Sequence, residues 1–153
     1  MRNAAERIEK AVDYYMNNFN CSQGVFATYA TEAGMDEKLA LKIATNFGGG
    51  ARKGELCGAV AGALMVLGLK YGHCDADDPE AKAQAYAVAE AYMNRFIDRN
   101  GSVVCRELLG CDLTDPADRK IIQEKNLFRT RCPELIRSAV QILEEILSER
   151  DRP

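Results

Sequence analysis

Apolar residues recur every three or four positions along most of the chain, a spacing that places them on one face of an α-helix. No stretch shows the regular alternation of apolar and polar residues that is typical of a β-strand. No composition shift, repeat or linker separates one part of the chain from another. The pattern therefore predicts an all-α fold over residues 1–153, a single-domain bundle of about seven helices.

One predicted helix differs from the others because it has no polar face. Residues 57–69 carry no charged side chain, and a helix that is apolar all round is buried on every side. We therefore expect a central helix over roughly 57–72, around which the other helices pack. Gly58 and Gly62 lie in its first two turns and would let a neighbouring backbone approach closely. The preceding run, Gly48-Gly49-Gly50, predicts a tight turn.

The helices on either side are bounded by residues typical of helix starts. Asp36 is predicted to cap a helix whose inward side chains are Leu39, Ala40, Ile43, Ala44 and Phe47. Asp78, followed by Pro79, is predicted to begin a long helix. Ser102 is predicted to cap a short helix that contains Cys105.

Composition and charge exclude two classes of partner. A net charge of −3 argues against a nucleic-acid partner, which requires a clustered basic surface. The longest apolar stretch is too short to cross a bilayer, so no membrane partner is expected. The first seven residues enter a charged helix without an apolar signal segment, and we therefore expect a cytoplasmic location.

The cysteine content is unusual for a chain of this kind. There are six cysteines: Cys21, Cys57, Cys74, Cys105, Cys111 and Cys132. In a reducing compartment, cysteines serve metal binding, redox chemistry or catalysis, or they pack as small apolar side chains.

Four of these cysteines fall in the first turn of a predicted helix: Cys21, Cys57, Cys105 and Cys132. Free N–H groups and the helix dipole favour a thiolate at such a position. If the four helix starts converge, their thiolates would suit an iron–sulfur cluster or a tetrahedral zinc ion. No C-x-x-C pattern occurs, so the spacing alone leaves buried, inert thiols as an alternative.

The remaining candidates have simpler interpretations. His73 adjoins Cys74 in an acidic loop, and because two adjacent residues chelate a metal poorly, we expect a surface loop there. Cys111 follows Gly110 and is expected to be packed, or to serve as a backup thiol for Cys105. Arg52 and Lys53 are either solvated charges or a counterbalance to thiolates. The glycine run lacks the Lys-Ser/Thr pair of a phosphate-binding loop.

Several short segments in combination match a known family. They are Asn20-Cys21-Ser22-Gln23, Phe47-Gly48-Gly49-Gly50, residues 57–64, residues 105–110, and residues 125–128 with Cys132-Pro133. Through them the chain resembles the C_GCAxxG_C_C family of redox-active proteins over about residues 4–147. The resemblance implies four principal cysteines, which match Cys21, Cys57, Cys105 and Cys132, and a prosthetic group such as an iron–sulfur cluster.

Three functions remain open at this point. The first is an iron–sulfur protein for electron transfer or sensing, working with a redox protein or as a component of an oxidoreductase. The second is a metal-free protein in which two of the same four cysteines cycle between dithiol and disulfide. The third is a zinc-stabilised or purely structural interaction module. Small-residue helix faces also favour a homodimer.

Overall fold

Capping side chains set the starts of most of the long helices. The computed structural model describes residues 2–152. In five helices the side chain before the first turn accepts a hydrogen bond from a backbone N–H of that turn. These capping residues are Asn3, Asn20, Asp36, Asp78 and Asp115.

The helices follow one another with short connections. They are α1 (Ala4–Met16), α2 (Cys21–Glu32), α3 (Glu37–Ala44), α4 (Gly58–Tyr71), α5 (Pro79–Asn100), α6 (Cys105–Leu109), α7 (Pro116–Glu124), α8 (Leu127–Thr130) and α9 (Cys132–Arg150). A 3-10 turn, Thr45–Phe47, and a wide turn, Gly50–Gly54, lie between α3 and α4. Seven of the helices in residues 2–152 have eight residues or more, and the predicted all-α bundle is confirmed.

The apolar helix α4 lies at the centre and packs against α2, α5 and α9. Small residues bring the backbones together, because a Cβ on Gly62 would lie 2.8 Å from the Ser22 carbonyl oxygen. The prediction that α4 is buried on every side holds for residues 58–63. It is wrong for the last turn, where Leu69 and Lys70 are exposed.

Buried apolar side chains form two separate clusters. The main cluster joins α1, α2, α4, α5 and α9 and includes Cys57. The small cluster consists of Cys105, Leu109, Cys111, Leu113 and Ile122, with Cys132 packed against it. The segment that contains α6, α7 and α8 therefore has a core of its own.

Two details of the sequence analysis are corrected in α3 and α6. Leu39, Ile43 and Phe47 are 49%, 45% and 43% exposed rather than internal. The reason is that α3 packs on α2 through Ala40 and Ala44, whose small side chains occupy the face toward the bundle. The short helix begins at Cys105 directly after Val104, so Ser102 is not its cap as predicted; the Ser102 hydroxyl oxygen instead accepts a hydrogen bond from the Val104 N–H at 2.9 Å.

Strands and membrane-spanning helices are both missing from residues 2–152. The one extended pairing in that range is an isolated antiparallel bridge between Leu56 and Val104. None of the helices described combines the length and apolar character needed to cross a lipid bilayer.

Candidate thiol site

Four cysteines lie at the starts of four helices. Cys21, Cys105 and Cys132 are the first residues of α2, α6 and α9, and Cys57 directly precedes α4. All four line a single cavity of about 280 Å³. The structure therefore brings together the side chains that the sequence analysis selected as site residues.

The cavity lies at the boundary between the two apolar clusters. Ala59 and Leu135 of the bundle form one side, while Leu109 and Leu113 of the small cluster form the other. Its remaining lining residues are Tyr15, Met16, Asn18, Phe19, Asn20, Gly49, Arg52, Gly58, Phe128 and Arg129. The walls are therefore mainly apolar around the four thiols.

Cys57 and Cys105 are positioned by the isolated backbone bridge. The Cys57 N–H donates to the Val103 carbonyl oxygen at 2.7 Å, and the Cys105 N–H donates to the Glu55 carbonyl oxygen at 2.6 Å. Two residues 48 positions apart in the sequence are thus held on paired segments. This pairing is too short to leave an alternating pattern in the sequence.

Cys21 is fixed by the polar side chains that flank it. The Asn20 amide nitrogen donates to the Thr45 carbonyl oxygen at 2.8 Å, and the Ser22 hydroxyl donates to the Ala44 carbonyl oxygen at 2.6 Å. The Gln23 amide nitrogen donates to the Leu41 carbonyl oxygen at 3.0 Å. These three residues attach the start of α2 to the end of α3 and so set the position of the thiol between them.

The glycine run forms a left-handed turn beside the thiols. Gly49, Gly50, Ala51 and Arg52 all have positive φ angles, between 54° and 65°. Left-handed geometry costs a non-glycine residue roughly 1–2 kcal/mol, so Ala51 and Arg52 are held there under strain. The turn directs the Gly49 N–H to the Cys21 sulfur and places Arg52 in the cavity wall.

Tyr15 is a wall residue that the sequence analysis missed as a part of the site. Its hydroxyl donates to the Phe128 carbonyl oxygen at 2.6 Å and lies against the Cys132 sulfur. In the sequence, Tyr15 occupies an ordinary apolar position of the first helix, and no pattern marks it. Arg129 was missed, and Phe128 was noted only as part of a segment shared with the family, because the one-turn helix α8 is too short to give a periodic signal.

Burial raises the pKa of all four thiols. The pKa of Cys132 rises to about 11 and that of Cys105 to about 12, in both cases mainly through desolvation of the charged form. The pKa values of Cys21 and Cys57 also rise for this reason, although backbone N–H groups stabilise both thiolates. Backbone N–H groups thus favour the thiolates of Cys21 and Cys57 as expected, but desolvation outweighs them and the net pKa of each thiol rises.

The two remaining cysteines lie outside the cavity. Cys74 is exposed in the loop before α5, next to the exposed His73, and Cys111 is buried in the small cluster. Neither residue lines the cavity. All six cysteines are free thiols in the structure.

A single metal ion does not fit the arrangement of these side chains. Among residues 2–152, no three His, Cys, Asp or Glu side chains are grouped closely enough to hold one ion. A tetrahedral zinc site needs sulfurs only about 3.8 Å apart, given Zn–S bonds of about 2.3 Å. In a 4Fe–4S cluster each of four thiolates binds a different iron atom, so four thiols that line one cavity can suit such a cluster without converging on a single ion.

The reduced, metal-free protein should react slowly with alkylating agents at its cavity thiols. At pH 8, a thiol of pKa about 11 is only about 0.1% thiolate, the form that reacts. We therefore expect iodoacetamide to modify the exposed Cys74 first, and Cys132 at least about tenfold more slowly. Peptide mass spectrometry over time measures both rates, and modification of Cys132 as fast as Cys74 would contradict the prediction.

Fold and cavity together define a helical protein in which four cysteines line one cavity. A protein-family model described as "Putative redox-active protein (C_GCAxxG_C_C)" matches residues 19–146. The chain belongs to this family. No curated protein matches the chain, and no solved structure matches it.

Proposed function

We propose that this protein is an iron–sulfur protein for electron transfer or sensing, with Cys21, Cys57, Cys105 and Cys132 as the cluster ligands. The observation that supports it best is that all four thiols line one cavity of about 280 Å³. Cys₄ ligation is the usual arrangement for such clusters. Membership of a family described as redox-active supports the redox character.

The raised thiol pKa values favour cluster binding over metal-free disulfide exchange. Exchange begins with attack by a thiolate, and burial keeps these thiols protonated near neutral pH. Iron instead displaces the thiol proton as it binds, so a coordinated cysteine is deprotonated even in an apolar cavity. Desolvation of the thiols therefore hinders disulfide exchange more than it hinders cluster binding.

The lack of a group of three metal-binding side chains among residues 2–152 argues against zinc. Because no three metal-binding side chains in residues 2–152 are grouped for one ion, a zinc site would require several helix starts to move. Two of those starts, at Cys57 and Cys105, are joined by short backbone hydrogen bonds that resist such movement.

The residues around the thiols provide the surroundings that such a centre needs. When bound, an iron–sulfur cluster supplies one-electron exchange. The N–H groups of Gly49 and Gly58 face the Cys21 sulfur, and Arg52 stabilises negative charge at Cys105. Hydrogen bonds and positive charge at ligand sulfurs stabilise the more negative, reduced state and raise the reduction potential. Apolar walls limit access of water to the centre.

Anaerobic preparation followed by iron and sulfide analysis tests this proposal. We expect stoichiometric iron and acid-labile sulfide, with a visible absorption band that bleaches on reduction with dithionite. Protein that stays colourless and iron-free after reconstitution would overturn the proposal. A reversible disulfide among the four cysteines without iron would favour thiol exchange, and tight zinc without redox activity would favour a structural module.

Two further expectations from the sequence stay predictions. A cytoplasmic location would keep the thiols reduced. A homodimer would be recognised by sedimentation of the purified protein at twice the chain mass of 16.9 kDa.

A further inference from the structure

Three large apolar side chains border the opening of the cavity. Met16, Phe19 and Phe128 all line it, and they are 40%, 38% and 40% exposed to solvent. They come from the end of α1, the loop after it, and α8. Methionine and aromatic residues are enriched at the centres of protein interfaces. We refer to these three residues as the apolar rim.

The charged side chains that line the cavity are of one sign. Arg52 and Arg129 line the cavity, and no aspartate or glutamate does. Within residues 2–152 neither arginine forms an ion pair, whereas the nearby Arg106 is paired with Glu55 at 2.9 Å. The whole chain carries a net charge of −3, so the positive charge at this cavity is opposite in sign to the charge of the protein as a whole. Such a local excess of positive charge attracts an anionic partner.

We propose that the apolar rim with Arg52 and Arg129 is the docking surface for an acidic electron-carrier protein. This inference rests on the proposed electron-transfer function. If the four cysteines hold a cluster, the complex would let one electron pass between it and the carrier, so that one is oxidised and the other reduced without exchange of a bond or a proton. Contact at the rim would place the carrier next to the cavity that the four thiols line.

A protein explains the surface better than a small anionic ligand does. The cavity of about 280 Å³ lies below the roughly 300–1,000 Å³ of typical small-molecule sites, and the proposed cofactor would occupy it. The rim residues would still be exposed outside a filled cavity. An apolar centre beside unpaired charges is the pattern expected for a partner that binds briefly and is steered by its charge.

Direct binding measurements with two probe proteins test the proposal. The probes are a strongly acidic ferredoxin and a basic cytochrome c, titrated at low and at physiological salt into the anaerobically prepared protein. Arg129→Glu reverses one positive charge of the proposed surface, and Phe128→Ala removes one side chain of the apolar rim. Lys120→Glu, an exposed residue of α7, is the matched control for the change in net charge.

We expect the ferredoxin to bind more tightly than the cytochrome, and its association to slow at higher salt. Arg129→Glu should lower its association rate constant roughly tenfold, while Lys120→Glu leaves it within about twofold. Phe128→Ala should raise its dissociation rate. Preference for the cytochrome, equal effects of the two charge variants, or displacement of the ferredoxin by inorganic phosphate at matched ionic strength would overturn the proposal.

The test of the docking surface can fail or succeed independently of the test of the proposed iron–sulfur function. Binding requires no electron transfer, so it is measured on the same preparation whose iron and sulfide content is determined independently. Iron-free protein that still binds the ferredoxin at this surface would contradict the cluster and retain the docking surface. If iron-loaded protein reduces the ferredoxin and neither Arg129→Glu nor Phe128→Ala changes the rate, the docking surface would be overturned and the cluster proposal would stand.

Discussion

Replacing Cys57 with alanine should remove the ability of the anaerobically prepared protein to retain iron and sulfide. Cys57 lines the cavity at the start of α4, and loss of one thiolate from a four-cysteine ligand set leaves one iron without its protein ligand. We expect the iron content per chain to fall by at least about tenfold after gel filtration.

Cys111→Ala is the matched control for this experiment. Cys111 is 8% exposed and Cys57 5%, so both changes delete a buried thiol, but Cys111 lies outside the cavity. Circular dichroism and urea unfolding of the reduced, metal-free variants establish that both fold. Equal iron contents in the two variants would contradict the assignment of Cys57 as a ligand.

A methyl group added at Gly58 should destabilise the fold and disturb the site. An alanine Cβ there would overlap the Cys21 sulfur and lie 3.0 Å from both the Gly48 Cα and the Phe47 carbonyl oxygen. Overpacking of this kind costs about 1–3 kcal/mol, which exceeds the gain of up to about 1 kcal/mol from replacing a helical glycine. We therefore expect a lower free energy of unfolding in urea and lower iron retention.

Gly68→Ala, in the same helix, provides the comparison. Nothing lies within 4 Å of a Cβ built at Gly68, and the residue is exposed. Here only the helix propensity changes, so the free energy of unfolding should rise by about 0.5–1 kcal/mol. A Gly58→Ala variant as stable as Gly68→Ala would show that the Cys21 sulfur can move without cost.

Local patterns were enough to predict the helices and the positions of the site cysteines. Asp78 and Pro79 begin a helix because the capping hydrogen bond and the proline ring act within one turn, and α5 starts at Pro79. The four cysteines of the cavity also stand at helix starts, but only Cys21 follows a capping side chain and only Cys132 is followed by a proline. Residues 57–69 could be placed at the centre because a helix without a polar face has few other locations.

Features that depend on packing could not be predicted in this way. Leu39 and Ile43 have helical spacing, but which face of α3 is buried was decided by the close approach of Ala40 to α2. The left-handed geometry of Ala51 and Arg52 contradicts local preference and is imposed by the surrounding structure. The thiol pKa values depend on how deeply the cavity is enclosed, which is a property of the folded chain.

The cavity separates a bundle of long helices from a smaller unit that contains α6, α7 and α8. A cluster bound to the four sulfurs, as proposed, would therefore cross-link two parts of the molecule that are built on different cores. The free energy of cluster binding would then help to hold the smaller unit against the bundle, because a ligand that binds only the folded form stabilises that form. Oxidative loss of the cluster would loosen residues 105–130 while the long helices stay folded. Oxidised protein should therefore be cleaved by proteases within that segment first.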